Sequence, residues 1–366
     1  MATMELTKPQ KVADAIKPPV TSIGIIGWMR VNLFDGWFNS ILSLIVLYLL
    51  SMTLPSFIKW AFINSSWFTT SDQCKAGSGA CWSVITANIR FITFGFYPHQ
   101  LQWRPLLAMI ILVLLLFFSQ NRKHWRKSLA YAWLLGLFSM GLLLKGGLGL
   151  EVVDSDNWGG LPLTLLLSVF GLTAAYPIGV MLALGRQSRM PIIKSFSVVY
   201  IELIRGVPLI SMLFMSSVVF PLFLPEGVTL NKILRAQVAI ILFTAAYIAE
   251  VVRGGLQGMN KGQYEAAESL GLNYFQAMRL IILPQALKIV IPPSMGILIS
   301  AFKDTSLVVI IALYDLLKTT QTTLTDPKWM GFSAEAYLFV ALIYFVCCYA
   351  MSNYSRRLEK ELDTSL

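Results

Sequence analysis

The chain has 366 residues, of which 56% are hydrophobic, 12% aromatic and only 13% charged, about half the charged share of an ordinary soluble domain. Such a composition excludes a soluble globular enzyme and places the chain in a membrane. The formal net charge of +10 needs no nucleic-acid partner, because Lys and Arg cluster in alternate short connections between apolar stretches.

A membrane-spanning helix needs about 20 mostly apolar residues, since every backbone group must be paired internally across the hydrocarbon. In chain order, residues 1–38 read as a polar cytoplasmic tail carrying Pro9, Pro18 and Pro19, without the apolar core of a signal peptide. Three spans are then expected, at 41–63, 105–118 and 129–144, within an amino-terminal extension over 39–160. Five more follow at 161–185, 198–224, 236–252, 286–317 and 336–351, forming a core over 161–361 with a short tail at 362–366. The stretch at 286–317 is too long for one straight crossing and reads as a possible broken pair. The fold class is therefore an all-α membrane protein of about eight transmembrane helices.

Eight spans put both termini on one side. With that side cytoplasmic, the inner segments hold Lys8, Lys11, Lys17 and Arg30, then Arg122, Lys123, Arg126 and Lys127, then Arg186, Arg189 and Lys194, then Arg253 and Lys261, and finally Arg356, Arg357 and Lys360. The outer segments are poorer; Glu151, Asp154 and Asp156 outweigh Lys145 in one of them. A long outer loop is expected from about residue 65 to 103. It holds Cys74 and Cys81, which can form a disulfide if the loop faces an oxidising compartment and are free thiols otherwise. Cys347 and Cys348 fall within the last span and read as packing residues.

Ionisable residues inside spans are costly and face protein or water. Glu202 and Arg205 precede Gly206, and Glu250 and Arg253 precede Gly254, each pair three residues apart on one helix face in the cytoplasmic half. Local ion pairing is the favoured role, with an inner gate or substrate contact as alternatives. Lys303, Asp304, Thr305 and Ser306 interrupt an apolar run at or beyond mid-membrane. A broken helix there would offer both charge signs to a zwitterion; the competing reading is a Lys–Asp pair with Asp304 or Thr305 capping a second half-helix. Pro292 and Pro293 point to a kink in the same span.

The connection over 254–285, on the cytoplasmic side, is far longer than a turn needs. In EAAESLGLNYFQAMRLIILPQA, Glu265 and Glu268 are expected to load the N-terminal turn of a helix, where its dipole favours negative charge, while Ala266, Ala267 and Leu270 form a face of small residues. Gly271 ends that helix, a second begins near Tyr274, and Pro284 turns the chain back toward the bilayer. The result is an exposed elbow against which another protein can pack closely.

Glu265, Ala266, Ala267, Gly271, Ile281, Leu283 and Pro284 match, position by position, the coupling signature of permeases of ATP-binding-cassette importers, the EAA motif. YIELIRGVPLI, AAYIAEVVRGGLQ and AFKDTSLV resemble the polar amino acid branch, and CWSVITANIRFITFGFYPHQLQWRP is similar to the long permease subunit of general L-amino acid importers. The resemblance implies the type I importer fold, with three extra spans before a five-helix core and a cytoplasmic coupling helix. It further implies a heterodimer with a sister permease in the inner membrane, two ATPase subunits, an external amino-acid-binding protein and contact with membrane lipid. Where the family's outer loop has Gly-Arg-Tyr-Pro, this chain has Gly95, Phe96, Tyr97 and Pro98, so a contact there is expected to differ.

No catalytic residue is expected. The chain has no GxxxxGK followed by Ser or Thr, and GGLQGMNKG lacks the spacing of a phosphate cradle, so ATP and Mg are expected on partner subunits. Two histidines, His99 and His124, without HExxH give no expectation of a metal site. The alternative function is an amino acid carrier driven by an ion gradient. It has no need of the elbow and favours paired broken helices in inverted repeats.

Overall fold

The computed structural model describes residues 24–363. Lys8, Lys11 and Lys17 of the expected amino-terminal tail lie outside them, as does the end of the chain. Fifteen helices occur among the described residues: α1 (Gly24–Asn32), α2 (Trp37–Ile58), α3 (Ser71–Ala76), α4 (Ser83–Phe94), α5 (Trp103–Ser119), α6 (Lys127–Lys145), α7 (Gly160–Arg186), α8 (Pro191–Gly206), α9 (Leu209–Phe214), α10 (Lys232–Gln257), α11 (Lys261–Ser269), α12 (Tyr274–Ala277), α13 (Leu283–Asp304), α14 (Leu316–Thr323) and α15 (Ser333–Asp363). Two compact units divide them, one holding residues up to 66 and 74–80, the other 67–73 and 81–363.

In the first unit, α2 runs on through a π-helical turn at Lys59–Ile63 and has no buried residue, as befits an apolar helix surrounded by lipid. Its far end is closed by backbone bonds from Ala80 to Trp60 and from Ser66 to Ala80. Gly79 is required there: a methyl group on it would stand 1.9 Å from the Asn64 carbonyl oxygen.

The second unit is built around α7 and α10. Gly171, Ala175, Gly179 and Ala183 recur every fourth residue on α7, so its backbone approaches α10 closely. A methyl group on Gly179 would lie 2.7 Å from the Ile248 side chain. α10 answers with Ala236, Ala239, Ala245, Ala246 and Ala249, all buried. Apolar cores gather at either end of this pair, around Leu163, Leu167, Ile240 and Val308 at one and around Ile201, Val252, Ile282 and Ala286 at the other.

Seven helices are long and apolar enough to cross a membrane, or eight if α8 and the run from Leu209 to Phe223 are one span bent by 105°. The break thus falls in the fifth expected span, not in the seventh. Val207 is extended (φ −110°, ψ 134°) ahead of Pro208, because the proline ring disfavours α-helical backbone at the residue before it. The seventh expected span is instead one helical run from Tyr274 to Ile311, with Pro292 and Pro293 accommodated inside α13. The expected outer loop also needs correction: it contains α3 and α4, and α4 buries Val84, Ile85 and Ile92. α4 is too short to span, and its apolar face packs on protein instead, where Thr319 donates to the Ile92 carbonyl at 2.8 Å. Cys74 and Cys81 are disulfide-bonded, and Cys347 and Cys348 are free.

Candidate functional site

The elbow after α10 is shaped by local chain chemistry. Asn260 caps α11, its side chain accepting from the Gly262 amide at 2.9 Å, so the helix starts at Lys261 and, contrary to expectation, neither Glu265 nor Glu268 lies in its first turn. The helix stops after Ser269, and Gly271, at φ +70°, takes the left-handed turn that a side chain would resist. Asn273 and Gln276 then form a reciprocal capping box that starts α12. A π-helical turn at Met278–Ile282 leads into α13.

The two alanines of the motif part company. Ala267 is fully buried, whereas Ala266 is exposed and Leu270 is 74% exposed. The expected single face of Ala266, Ala267 and Leu270 is therefore split. Helical rotation of about 100° per residue turns Ala267 inward while its neighbours face out. Glu265, Glu268, Gly271 and Pro284 are exposed, and Ile281 and Leu283 are half-buried. Phe275 and Leu280 add large exposed apolar side chains to the same segment, the kind of surface that marks a protein contact.

The elbow is fastened to the spans beside it. Gln285 of α13 and Gln263 of α11 are hydrogen-bonded at 3.0 Å, and the Tyr264 hydroxyl donates to the Leu256 carbonyl of α10 at 3.4 Å. Burial pushes the Tyr264 hydroxyl above the ordinary tyrosine range, with Tyr274 adding to the shift. These two bonds tie α11 to α13 and α10.

Glu202, Arg205, Glu250 and Arg253 are brought into one network, with Arg186 of α7 as a fifth member. Arg253 grips Glu250 through two nitrogens, at 3.0 and 2.5 Å. Arg186 lies 2.8 Å from Glu202 and 3.4 Å from Glu250, and Arg205 is 3.5 Å from Glu250. Pairing within a helix therefore holds for Glu250 and Arg253, while Glu202 and Arg205 pair across helices. Glu250 is the hub for three guanidinium groups. Such a network ties α7, α8 and α10 together, since each charge is costly without its partners.

Lys303 is exposed, Asp304 half-buried, Thr305 buried and Ser306 half-buried. The two hydroxyls are spent on helix carbonyls, Thr305 on Phe302 at 2.7 Å and Ser306 on Lys303 at 2.9 Å. Asp304 makes no capping bond. The helix does not break at this point: α13 tightens into a 3-10 segment, Thr305–Ile311, and turns at Ala312, whose φ is +57°. Neither broken-helix ends nor a cap is present, and Lys303 and Asp304 are left at the far end of α13, roughly 30 Å from Leu283 by helical rise.

Three features escape the sequence. Arg186 has the look of an ordinary inner-loop cation, and Gln263 and Gln285 belong to no motif. The third is Asp315, which is fully buried, accepts from the amides of Leu317 and Lys318 at 3.1 and 2.9 Å and receives the Tyr344 hydroxyl at 3.5 Å. Desolvation pushes its carboxyl up to about 6. Among the described residues no cluster of three or more His, Cys, Asp or Glu side chains could hold a metal ion.

The model of the family described as "Binding-protein-dependent transport system inner membrane component" matches residues 175–364. The chain is 47% identical over 342 residues to the inner membrane amino-acid ABC transporter permease protein YhdY of Escherichia coli (strain K12), covering 92% of this chain and 93% of that one. It is 38% identical over 413 residues to the glutamate/glutamine/aspartate/asparagine transport system permease protein BztC of Rhodobacter capsulatus, covering 94% and 95% respectively. Among solved structures, an amino acid ABC transporter with histidines aligns at a TM-score of 0.49 and 31% identity, over 55% of this chain and 92% of that chain.

Proposed function

We infer the chain's task from what it is: it belongs to the family of binding-protein-dependent transport system inner membrane components and is the permease subunit of an amino-acid ABC transporter. Its fold is the all-α transmembrane domain of a type I ABC importer. Transport is ABC-driven, which sets aside the ion-gradient carrier.

Beyond that identity, our reading assigns this subunit the path and the lever. Two partner ATPases bind and hydrolyse ATP with Mg, an external binding protein delivers substrate, and a sister permease completes a heterodimer in the inner membrane with both termini of this chain cytoplasmic. The elbow seats on an ATPase through Glu265, Ala266, Glu268 and the exposed apolar residues beyond them. ATP-driven closure moves α11, and the buried Ala267 and the Gln263–Gln285 bond carry that motion into α13. α13 ends at Lys303 and Asp304, which in this reading face the substrate's carboxylate and ammonium. The ion network on Glu250 keeps α7, α8 and α10 moving as one inner gate. The elbow must contact the ATPase differently in the inward-open and outward-open states, or no equilibrium shifts.

The observation that carries this reading is the fastening of the elbow to α13. A polar amino acid of the class named for the Rhodobacter relative is the substrate to test first. The test is uptake into vesicles holding both permeases and the ATPases. Uptake that requires ATP and the binding protein together supports it. Uptake with a proton or sodium gradient alone, or no uptake in any combination, overturns it.

A further inference from the structure

A second site lies at the other end of α10 from the elbow. A cavity of about 750 Å³ opens where α6 ends and where α7 and α10 begin, walled on one side by the 152–158 segment. Three candidate spans end or start at its mouth, which puts it at the level of lipid headgroups.

Its lining changes character with depth. The less exposed part of the lining is apolar, with Leu166 and Phe170 from α7 and Ile233 from α10. The mouth carries one cation and one anion, Lys145 and Asp154, both exposed. They are not paired with each other: among the described residues the Asp154 carboxylate accepts only from its neighbours Ser155 and Asp156. The lining also leaves two buried polar atoms unspent, the Trp158 Nε1 donor and the Gln237 Oε1 acceptor. Gln237 is only 9% exposed, and its amide nitrogen is already committed to the Leu167 carbonyl at 3.2 Å. A buried amide oxygen without a donor is costly.

We propose that this cavity binds an aminophospholipid of the surrounding leaflet, its phosphate held by Lys145, its ammonium by Asp154, and an acyl chain laid along α7 and α10. The charge pattern of the mouth, Lys145 with Asp154, is complementary to a zwitterionic headgroup. The size and apolar wall select a lipid over a free amino acid. A cavity of 750 Å³ suits a ligand of drug size, and a small zwitterion would leave most of the apolar lining uncovered. The bound lipid joins the segment preceding α7 to the core helices. This inference stands apart from the transport reading and needs only the chain's place in the bilayer.

The test uses the full chain in nanodiscs containing equal amounts of phosphatidylethanolamine and phosphatidylglycerol, followed by detergent extraction and mass spectrometry of the retained lipid. Phosphatidylethanolamine should be retained at least tenfold over phosphatidylglycerol. Lys145→Glu and Asp154→Lys should each lower that retention at least fivefold, and combining them should restore part of it, since the charges merely exchange places. Both positions are exposed, so folding is preserved; Phe170→Trp, which fills the cavity without altering charge, should also expel the lipid. Equal retention of the two lipids, retention unchanged in both single variants, or saturable binding of radiolabelled glutamine lost in the same variants would each overturn the proposal.

Discussion

Gln285 on α13 and Gln263 on α11 meet side chain to side chain at 3.0 Å, joining the elbow directly to the longest helical run in the second unit. A neutral hydrogen bond of this kind contributes about 1 kcal/mol. Replacing either residue with alanine is therefore expected to leave ATPase activity in place while lowering the number of amino acids moved per ATP about fivefold. Parallel measurement of phosphate release and uptake in vesicles checks it, and an unchanged ratio would remove the bond from the coupling route.

The two alanines of the motif should respond oppositely to enlargement. Ala267 has no exposed surface, so Ala267→Leu overpacks the inner end of the bundle at a cost of about 1–3 kcal/mol. It should lower the melting temperature of the isolated permease. Ala266→Leu should leave that temperature unchanged and weaken co-purification of the ATPase, because Ala266 faces outward.

Glu250 and Glu202 test the ion network. Glu250→Gln leaves Arg186, Arg205 and Arg253 short of their shared partner, whose side chain is 24% exposed. A loss of about 2 kcal/mol in stability is expected, since unpaired buried charge is the costly case. Glu202, at 54% exposed, should cost less than about 1 kcal/mol when changed to Gln. Thermal unfolding of both variants ranks them, and equal effects would contradict the hub assignment.

Asp315 should make stability depend on pH. Its folded carboxyl titrates at about 6, above the ordinary 3.8, so the folded state holds its proton more tightly than the unfolded state. The resulting stability is fully present below about pH 4 and is lost as pH rises through about 6, to a total on the order of 3 kcal/mol. Asp315→Asn keeps a capping side chain and removes the buried charge. It should raise the melting temperature at pH 8 and flatten the profile between pH 4 and 7.

Much of this architecture is legible in the residues because apolar length and the positions of Lys and Arg are strong, local signals. The elbow is legible because its turn residues Gly271 and Pro284 each act on their own neighbours; the caps Asn260 and Asn273 are seen only in the structure. The bend at Pro208 carries a local signal too, but the uninterrupted hydrophobicity on either side hides it. Length alone cannot show that Tyr274–Ile311 stays helical through Pro292 and Pro293, or that α4 packs on protein. The partners of Glu202 and Arg205 are invisible for a different reason: they lie on other helices. Spacing of three residues suggests pairing within α8, whereas the packing of α7 against α10 places Arg186 nearer. Asp315, one charge beside a long apolar run, gives no sign of its burial until the fold closes over it.

The most direct test of the coupling claim is Glu265→Arg in the assembled transporter, because Glu265 is exposed on the elbow. Membrane insertion and the melting temperature of the permease should match the unaltered protein, while ATP-dependent amino acid uptake falls to background. Uptake at the unaltered rate would show that the elbow does not transmit the work of ATP.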